Sequence, residues 1–255
     1  MNDVIPVLLY HSVTDGPRHD WRYAVSRAGF AEHVAAVSAS GREALRVTEL
    51  ADGLRSERPL PERPMAVTFD DGFADTYDAV ELLLAGGVPS TVYIPTGAIG
   101  ARGRLSRSAV ADLARLPSVE VGAHGVRHLY LDELDDREVD DEVRVSKAQL
   151  EEVTHVSVRS FAYPHGAYEG RARQAVISAG YRSAAAVKNA VSHARDDPFA
   201  IARWTVTHGT PASRIAEVLE GDGVPRAWAN ERLRTRAFRT VRRERRRVAT
   251  HLGRR

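Results

Sequence analysis

The chain has 255 residues, 43% of them apolar and 27% charged, the make-up of an ordinary globular protein. It contains no cysteine, which excludes disulfide frameworks, Cys-ligated zinc, iron–sulfur clusters and thiol nucleophiles. Any nucleophilic or metal chemistry falls to His, Asp, Glu, Ser or water. The net charge of +2 is unevenly divided: residues 226–255 hold twelve Arg against Glu231 and Glu244, a local +10, leaving −8 on residues 1–225.

The start, MNDVIPVLLYHSV, has its first basic residue at Arg18 and carries Pro6 inside its apolar run, unlike a secretory signal with a basic lead and longer apolar core. No apolar stretch approaches the roughly 20 residues that span a bilayer. A soluble chain, cytoplasmic by sequence, is therefore expected. Short β-branched runs then alternate with segments of helical period. The predicted strands are Ile5 to Tyr10, Ala66 to Phe69, Thr91 to Ile94, Val119 to Gly122, Val158 to Tyr163 and Ser183 to Val187. Between them, Tyr77, Val80 and Leu84 share a helical face that ends at Gly86-Gly87. A second helix groups Val139, Val143, Leu150 and Val153 opposite its acidic residues. A third carries Ala172, Ala175, Val176 and Ala179 and stops at Gly180. Strands apolar on both faces alternating with helices predict an α/β protein with a mostly parallel sheet. About 225 residues of such units suit a closed or distorted barrel. An open doubly wound sheet would show a Gly-rich first turn, and this first strand runs into His-Ser-Val-Thr-Asp-Gly. Either architecture places the active site beyond the C-terminal strand ends.

Four strand ends carry the chemistry. Ala66 to Phe69 runs into Asp70-Asp71-Gly72, two carboxylates that an extended chain would point to opposite sides, although such a turn can also simply cap a helix. The next strand leads to His124 and His128, where Gly125 argues for a loop that curls back and brings both rings together. Two His and one strand-end Asp make a three-ligand site with positions left open, as a catalytic metal needs. Phe161-Ala-Tyr163-Pro164-His165-Gly166 ends a third strand in a fixed turn whose backbone N–H groups could serve an oxyanion, although this segment read alone better suits a simple strand-terminating turn. Leu9-Tyr10-His11 closes the first strand with an imidazole, which by itself also suits a half-buried His satisfied by the backbone.

Together these residues resemble the polysaccharide deacetylase family, carbohydrate esterase family 4. Thr68 to Gly72 matches its Thr-Phe-Asp-Asp-Gly motif in full, and His124 and His128 match its His-x-x-x-His motif. Its third motif, Arg-x-Pro-Tyr followed by Gly, appears as Ala162-Tyr163-Pro164-His165-Gly166, without the Arg and the Tyr. The late Leu-x-His motif has no match beyond residue 205, but Leu9-Tyr10-His11 fits it, as in the circularly permuted poly-N-acetylglucosamine de-N-acetylase subgroup. The resemblance implies a distorted (β/α) barrel of about seven units over residues 1–225. It further implies a divalent metal, zinc foremost with Co, Ni, Fe or Mn also suited, on Asp71, His124 and His128. Asp70 would be the general base and His11 the acid that protonates the departing amine. The His165 backbone, with Tyr163 and Pro164 beside it, would hold the oxyanion and substrate. Arg203, in Ile201-Ala-Arg203-Trp204, would orient Asp70 in place of the missing motif Arg. The implied substrate is an acetylated amino-sugar poly- or oligosaccharide, and the subgroup's usual place is the cell envelope or exterior.

Residues 226–255 form a separate Arg-rich tail in which Phe238, Val241, Val248 and Leu252 share one helical side, suited to an anionic membrane surface or to the acidic domain; a solvated tail is equally expected. Two other functions fit the same sequence: hydrolysis of a small cyclic amide, and nucleic-acid or anionic-surface binding by the tail. No specific nucleic-acid-reading motif accompanies the tail.

Overall fold

The computed structural model describes residues 4–228. Seven parallel strands close into a barrel: β1 (Val7–Tyr10), β2 (Pro64–Phe69), β3 (Ser90–Ile94), β4 (Val119–Ala123), β5 (Ser160–Ala162), β6 (Ser183–Val187) and β7 (Ile201–Thr205). Each of β2 to β6 pairs with its successor. The last strand, β7, pairs with β1 through Trp204 opposite Leu8, and β1 pairs with β2 through Val7 opposite Ala66, which shuts the ring. The fold class is the distorted (β/α) barrel expected from the sequence. Pro6 interrupts the first predicted strand, so Val4–Ile5 leaves the barrel to pair antiparallel with Ser192–His193.

The helices are α1 (Arg27–Ala39), α2 (Val47–Leu54), α3 (Thr76–Ala85), α4 (Arg107–Arg115), α5 (Asp136–Thr154), α6 (Gly170–Ser178) and α7 (Ala212–Glu220). No helix lies between β6 and β7. Helix α5 starts with a reciprocal cap, in which Asp135 accepts from the Glu138 backbone N–H at 2.8 Å and Glu138 accepts from that of Asp135 at 3.0 Å. Among the described residues no helix is long and apolar enough to cross a membrane.

The period-2 alternation of the strands sorts side chains between two cores. Leu8, Val67, Phe69, Val92, Val121 and Phe161 face the helices. Val7, Ala66, Tyr93, Ala162, Ala185 and Ile201 face inward, where α2 plugs the N-terminal end of the barrel with Val47, Leu50 and Ala51. The plug is anchored by polar groups: Thr91 accepts from the Val47 backbone N–H at 3.0 Å, and Glu120 accepts from that of Thr48 at 3.1 Å. Small inward residues make room for large ones. A Cβ on Gly122 would lie 2.6 Å from the Tyr93 ring. The same parity, continued to the strand ends, gives Leu9 then His11, Thr68 then Asp70, Gly122 then His124, and Ile201 then Arg203. All four polar residues therefore belong to the inward set.

Candidate active site

A cavity of about 350 Å³ opens at the C-terminal mouth of the barrel, lined by His11, Trp21, Tyr23, Asp70, Asp71, His124, His128, Tyr130, His165 and Thr205, with Leu9 and Val187. Asp70 and His124 are almost wholly buried. The two adjacent carboxylates do not point apart as an extended chain would have them. The strand ends at Phe69, and Asp71 and Gly72 follow in left-handed conformations, with φ of +72° and +58°. This reversal turns both Asp70 and Asp71 toward His124, whose Nε2 lies 3.6 Å from Asp70 Oδ2 and 3.7 Å from Asp71 Oδ1. Asp71 pays for its place with a strained backbone, as site residues often do.

Three atoms converge. His128 Nε2 sits 3.2 Å from Asp71 Oδ1 and 3.2 Å from His124 Nε2, and the ligand atoms of Asp71, His124 and His128 all lie within 4.8 Å of one another. His124 Nδ1 donates to the Ala162 carbonyl at 2.8 Å, which fixes its tautomer and leaves the Nε2 lone pair facing the other two groups. Burial holds the His124 imidazole down at about 3 against the opposing pull of Asp70, and burial also lowers that of His128, so both rings are neutral. Two neutral imidazoles and a carboxylate thus present one nitrogen each and one oxygen within a single small space. The donor set therefore fits a divalent metal.

The loop that presents His128 hangs on a residue outside the predicted set. Glu142 on α5 is buried and accepts from the Val126 backbone N–H at 2.7 Å, the Arg127 backbone N–H at 3.0 Å and Arg127 Nε at 2.6 Å. Gly125 permits this with φ of +73°, and a Cβ there would meet Glu142 Oε2 at 2.8 Å. Sequence periodicity assigned the acidic residues of α5 to its outer side. Glu142 is the exception, and its position three residues after Val139 on the apolar face was the available signal.

Arg203 is fully buried beneath the cavity. Its Nη1 and Nη2 donate to Asp70 Oδ1 at 2.6 Å and Oδ2 at 2.8 Å, and Nη1 also reaches Thr68 Oγ1 at 3.3 Å. Nε donates to the Ala186 carbonyl at 3.4 Å, and the guanidinium lies 5.4 Å from the Tyr93 ring centre. Burial pushes the Asp70 carboxyl up, but the Arg203 charge, followed by His124, overcomes it and holds the group at about 2. Ala162, at the position of the family's motif Arg, contributes only a methyl, and the fork arrives from β7 instead.

His11 stacks on Tyr23 at 4.9 Å and meets the edge of Trp21 at 5.9 Å. Its Nδ1 is buried without a hydrogen-bond partner among the described residues, so this His is not one satisfied by the backbone. Burial lowers its pKa, and Asp70 and Asp71 oppose the shift. The Thr205 hydroxyl, on the cavity wall, is likewise buried and unpartnered among the described residues. His165 lies in a left-handed turn with φ of 58°, stacks on Tyr130 at 3.9 Å, and its Nε2 donates to the His128 carbonyl at 3.2 Å. Tyr163 and Pro164 do not line the cavity. Tyr163 is buried in the wall, with its hydroxyl donating to the Phe199 carbonyl at 2.9 Å and its ring stacked on Tyr168, and Pro164 is buried in the turn. Trp21, Tyr23 and Tyr130 escaped the sequence reading because no strand end or motif marks them.

The family model described as polysaccharide deacetylase matches residues 57–184, half of the chain. The chain belongs to the polysaccharide deacetylase family. A curated relative named for the same family, YxkH of Bacillus subtilis (strain 168), is 24% identical over 217 residues, covering 85% of this chain and 76% of that protein. Among solved structures, the Streptococcus pyogenes deacetylase PplD in complex with acetate superposes with a TM-score of 0.78 at 18% identity, covering 86% of this chain and 99% of that one. A de-N-acetylase from Aggregatibacter actinomycetemcomitans gives a TM-score of 0.72 at 17% identity, covering 84% and 98%. At these identities the superpositions speak for the deacetylase barrel alone, and the matched family implies an acetylated carbohydrate as substrate.

Proposed function

We propose that the chain is a metal-dependent hydrolase that removes N-acetyl groups from N-acetylhexosamine residues of a poly- or oligosaccharide, with residues 1–225 as its catalytic domain. The observation that carries this reading is the convergence of Asp71 Oδ1, His124 Nε2 and His128 Nε2 on one wall of the cavity, with the Asp70–Arg203 pair beneath and His11 on the same lining. Asp71, His124 and His128 would hold the ion, for which we propose zinc, although such donors also accept Co, Ni, Fe or Mn. When bound there, a divalent cation polarises the acetyl carbonyl and makes water acidic enough to attack near neutral pH. Asp70, kept ionised by Arg203, accepts the proton of the attacking water. The backbone N–H of His165 is assigned to the developing oxyanion, and His11 donates a proton to the amide nitrogen, which leaves poorly without one. The de-N-acetylase named among the structural neighbours agrees with this chemistry.

The test couples metal analysis of the purified protein to acetate release from N-acetylglucosamine oligomers. Release is expected with a divalent ion near one equivalent, and its absence with Zn, Co and Ni alike would sink the deacetylase reading. His11→Ala is expected to lower kcat by about 10²-fold or more with metal content and KM little changed, since a general acid acts mainly in the transition state. Unchanged kcat would return His11 to the role of a packed core histidine. The basic segment 226–255 lies almost wholly outside the described residues, as does its predicted helical side of Phe238, Val241, Val248 and Leu252. Its contact with an anionic surface and a place at the cell envelope stay proposals.

A further inference from the structure

A second cavity, of about 290 Å³, adjoins the first across Asp71 and His128. Its walls are Pro95, Gly97, Ala98, Val126, Arg104 and Arg127. A ligand held at Asp71 and His128 therefore borders this space, so a polymer threading the barrel mouth would set a neighbouring sugar residue there. The charges on its walls are unequal in their commitments. Arg127 gives its Nε to Glu142 at 2.6 Å while its side chain stays 54% exposed, and nearby Arg18 is paired with Asp75 at 3.1 Å. Among the described residues no carboxylate pairs with Arg104. Its Nη1 donates to the backbone carbonyl of Asp71 at 2.6 Å, and its guanidinium lies 3.9 Å from the centre of the Phe73 ring, which Arg18 also approaches at 4.3 Å. The remaining guanidinium N–H groups have no protein partner among the described residues.

A half-buried guanidinium with unused, fork-shaped donors on a cavity wall is suited to a planar or tetrahedral anion. We propose that this second cavity is an anion subsite, in which Arg104 binds a carboxylate or phosphate carried by the sugar residue next to the one that is deacetylated, and Arg127 adds charge at the rim. The proposal rests on the deacetylase reading and narrows its substrate class to acidic amino-sugar polymers. Arg104 is a specificity residue here: it touches the neighbouring sugar and takes no part in the proton transfers.

The experiment uses the metal-loaded protein and three tetrasaccharides with the same reactive N-acetylglucosamine, flanked by N-acetylglucosamine, by glucuronic acid, or by N-acetylglucosamine 6-phosphate. For each, acetate release gives kcat and KM, and calorimetry gives binding independently of turnover. The expected result is a KM about tenfold or more lower for an acidic oligomer than for the neutral one, at similar kcat, because one charge-assisted fork is of that size. The preferred acid identifies the anion as carboxylate or phosphate. The preference is expected to vanish in Arg104→Gln, to survive in part in Arg104→Lys, and to weaken with added salt. Equal KM and equal binding of all three oligomers by the unaltered protein would overturn the subsite. So would an Arg104→Gln variant that loses the same factor on every substrate, which would make Arg104 only a prop for the Asp71 backbone. Arg104-dependent binding of an acidic oligomer without acetate release would leave the subsite standing and remove the deacetylase reading.

Discussion

Asp70→Asn is expected to lower kcat for acetate release by about 10³-fold or more while metal content stays at the level of the unaltered protein. The amide nearly matches the carboxylate in volume, so the cavity keeps its shape, and Asp71, His124 and His128 are untouched. What disappears is the proton acceptor. Asn also turns one of its two oxygens into a donor, so one of the Arg203 hydrogen bonds at 2.6 and 2.8 Å must be lost, and a buried guanidinium is left without its counter-charge. Kinetics and metal analysis on the same sample separate these effects. Retention of full kcat would refute Asp70 as the base, whereas loss of metal together with activity would place Asp70 among the ligands.

Arg203→Met is expected to have the largest effect on stability, about 3–5 kcal/mol at neutral pH, because it strands a carboxylate in the barrel interior. Its pH dependence is diagnostic. With Arg203 present, Asp70 is held at about 2 against an ordinary 3.8, so the pair's contribution is complete above about pH 4 and is lost as pH falls through 2. Without Arg203 the burial that raises Asp70 is no longer overcome. A carboxyl whose folded pKa exceeds its unfolded value binds more protons when folded, so the variant should gain stability as pH is lowered from 7 toward 5, a range over which the pair's contribution in the unaltered protein is constant. Urea melts at a series of pH values measure this directly. Parallel curves for the two proteins would show that Arg203 does not set the charge state of Asp70. Arg203→Lys should fall between, since it keeps the charge but not the fork.

Much of the barrel was legible in the sequence because its strands are runs such as Ala66 to Phe69 and Ser183 to Val187, bounded by turns and apolar on both faces. The seventh strand, Ile201–Thr205, was not recognised as a strand because Arg203 and Trp204 mask its periodicity. A guanidinium in the interior is readable only once its partner, Asp70, is seen across the ring. Helix α2, which buries Thr48 and Gly53 along with Val47, Leu50 and Ala51, is also absent from the predicted elements. At the site, the motif residues declare themselves at strand ends, but the conformations that aim them do not. The left-handed turn at Asp71, the support of the His128 loop by Glu142, and the withdrawal of Tyr163 into the wall all depend on neighbours distant in the chain. The position of His11 makes sense on the closed ring. Because β1 pairs with β7, a residue at the end of the first strand stands beside the last, and a motif moved between the two chain ends stays at the same mouth.

The Asp70–Arg203 bond joins residues 133 positions apart, and β7 is also the strand that completes the ring. Closure of the ring and alignment of the Asp70 carboxylate thus depend on the same strand. A nascent chain that has emerged through β6 has Asp70, Asp71, His124 and His128 already synthesised, yet its carboxylate has no cation to align it and its sheet has open edges on β1 and β6. Under the proposed function, a chain made only through β6 would therefore lack both the closed ring and the aligned Asp70, and the five residues Ile201–Thr205 would supply the two together.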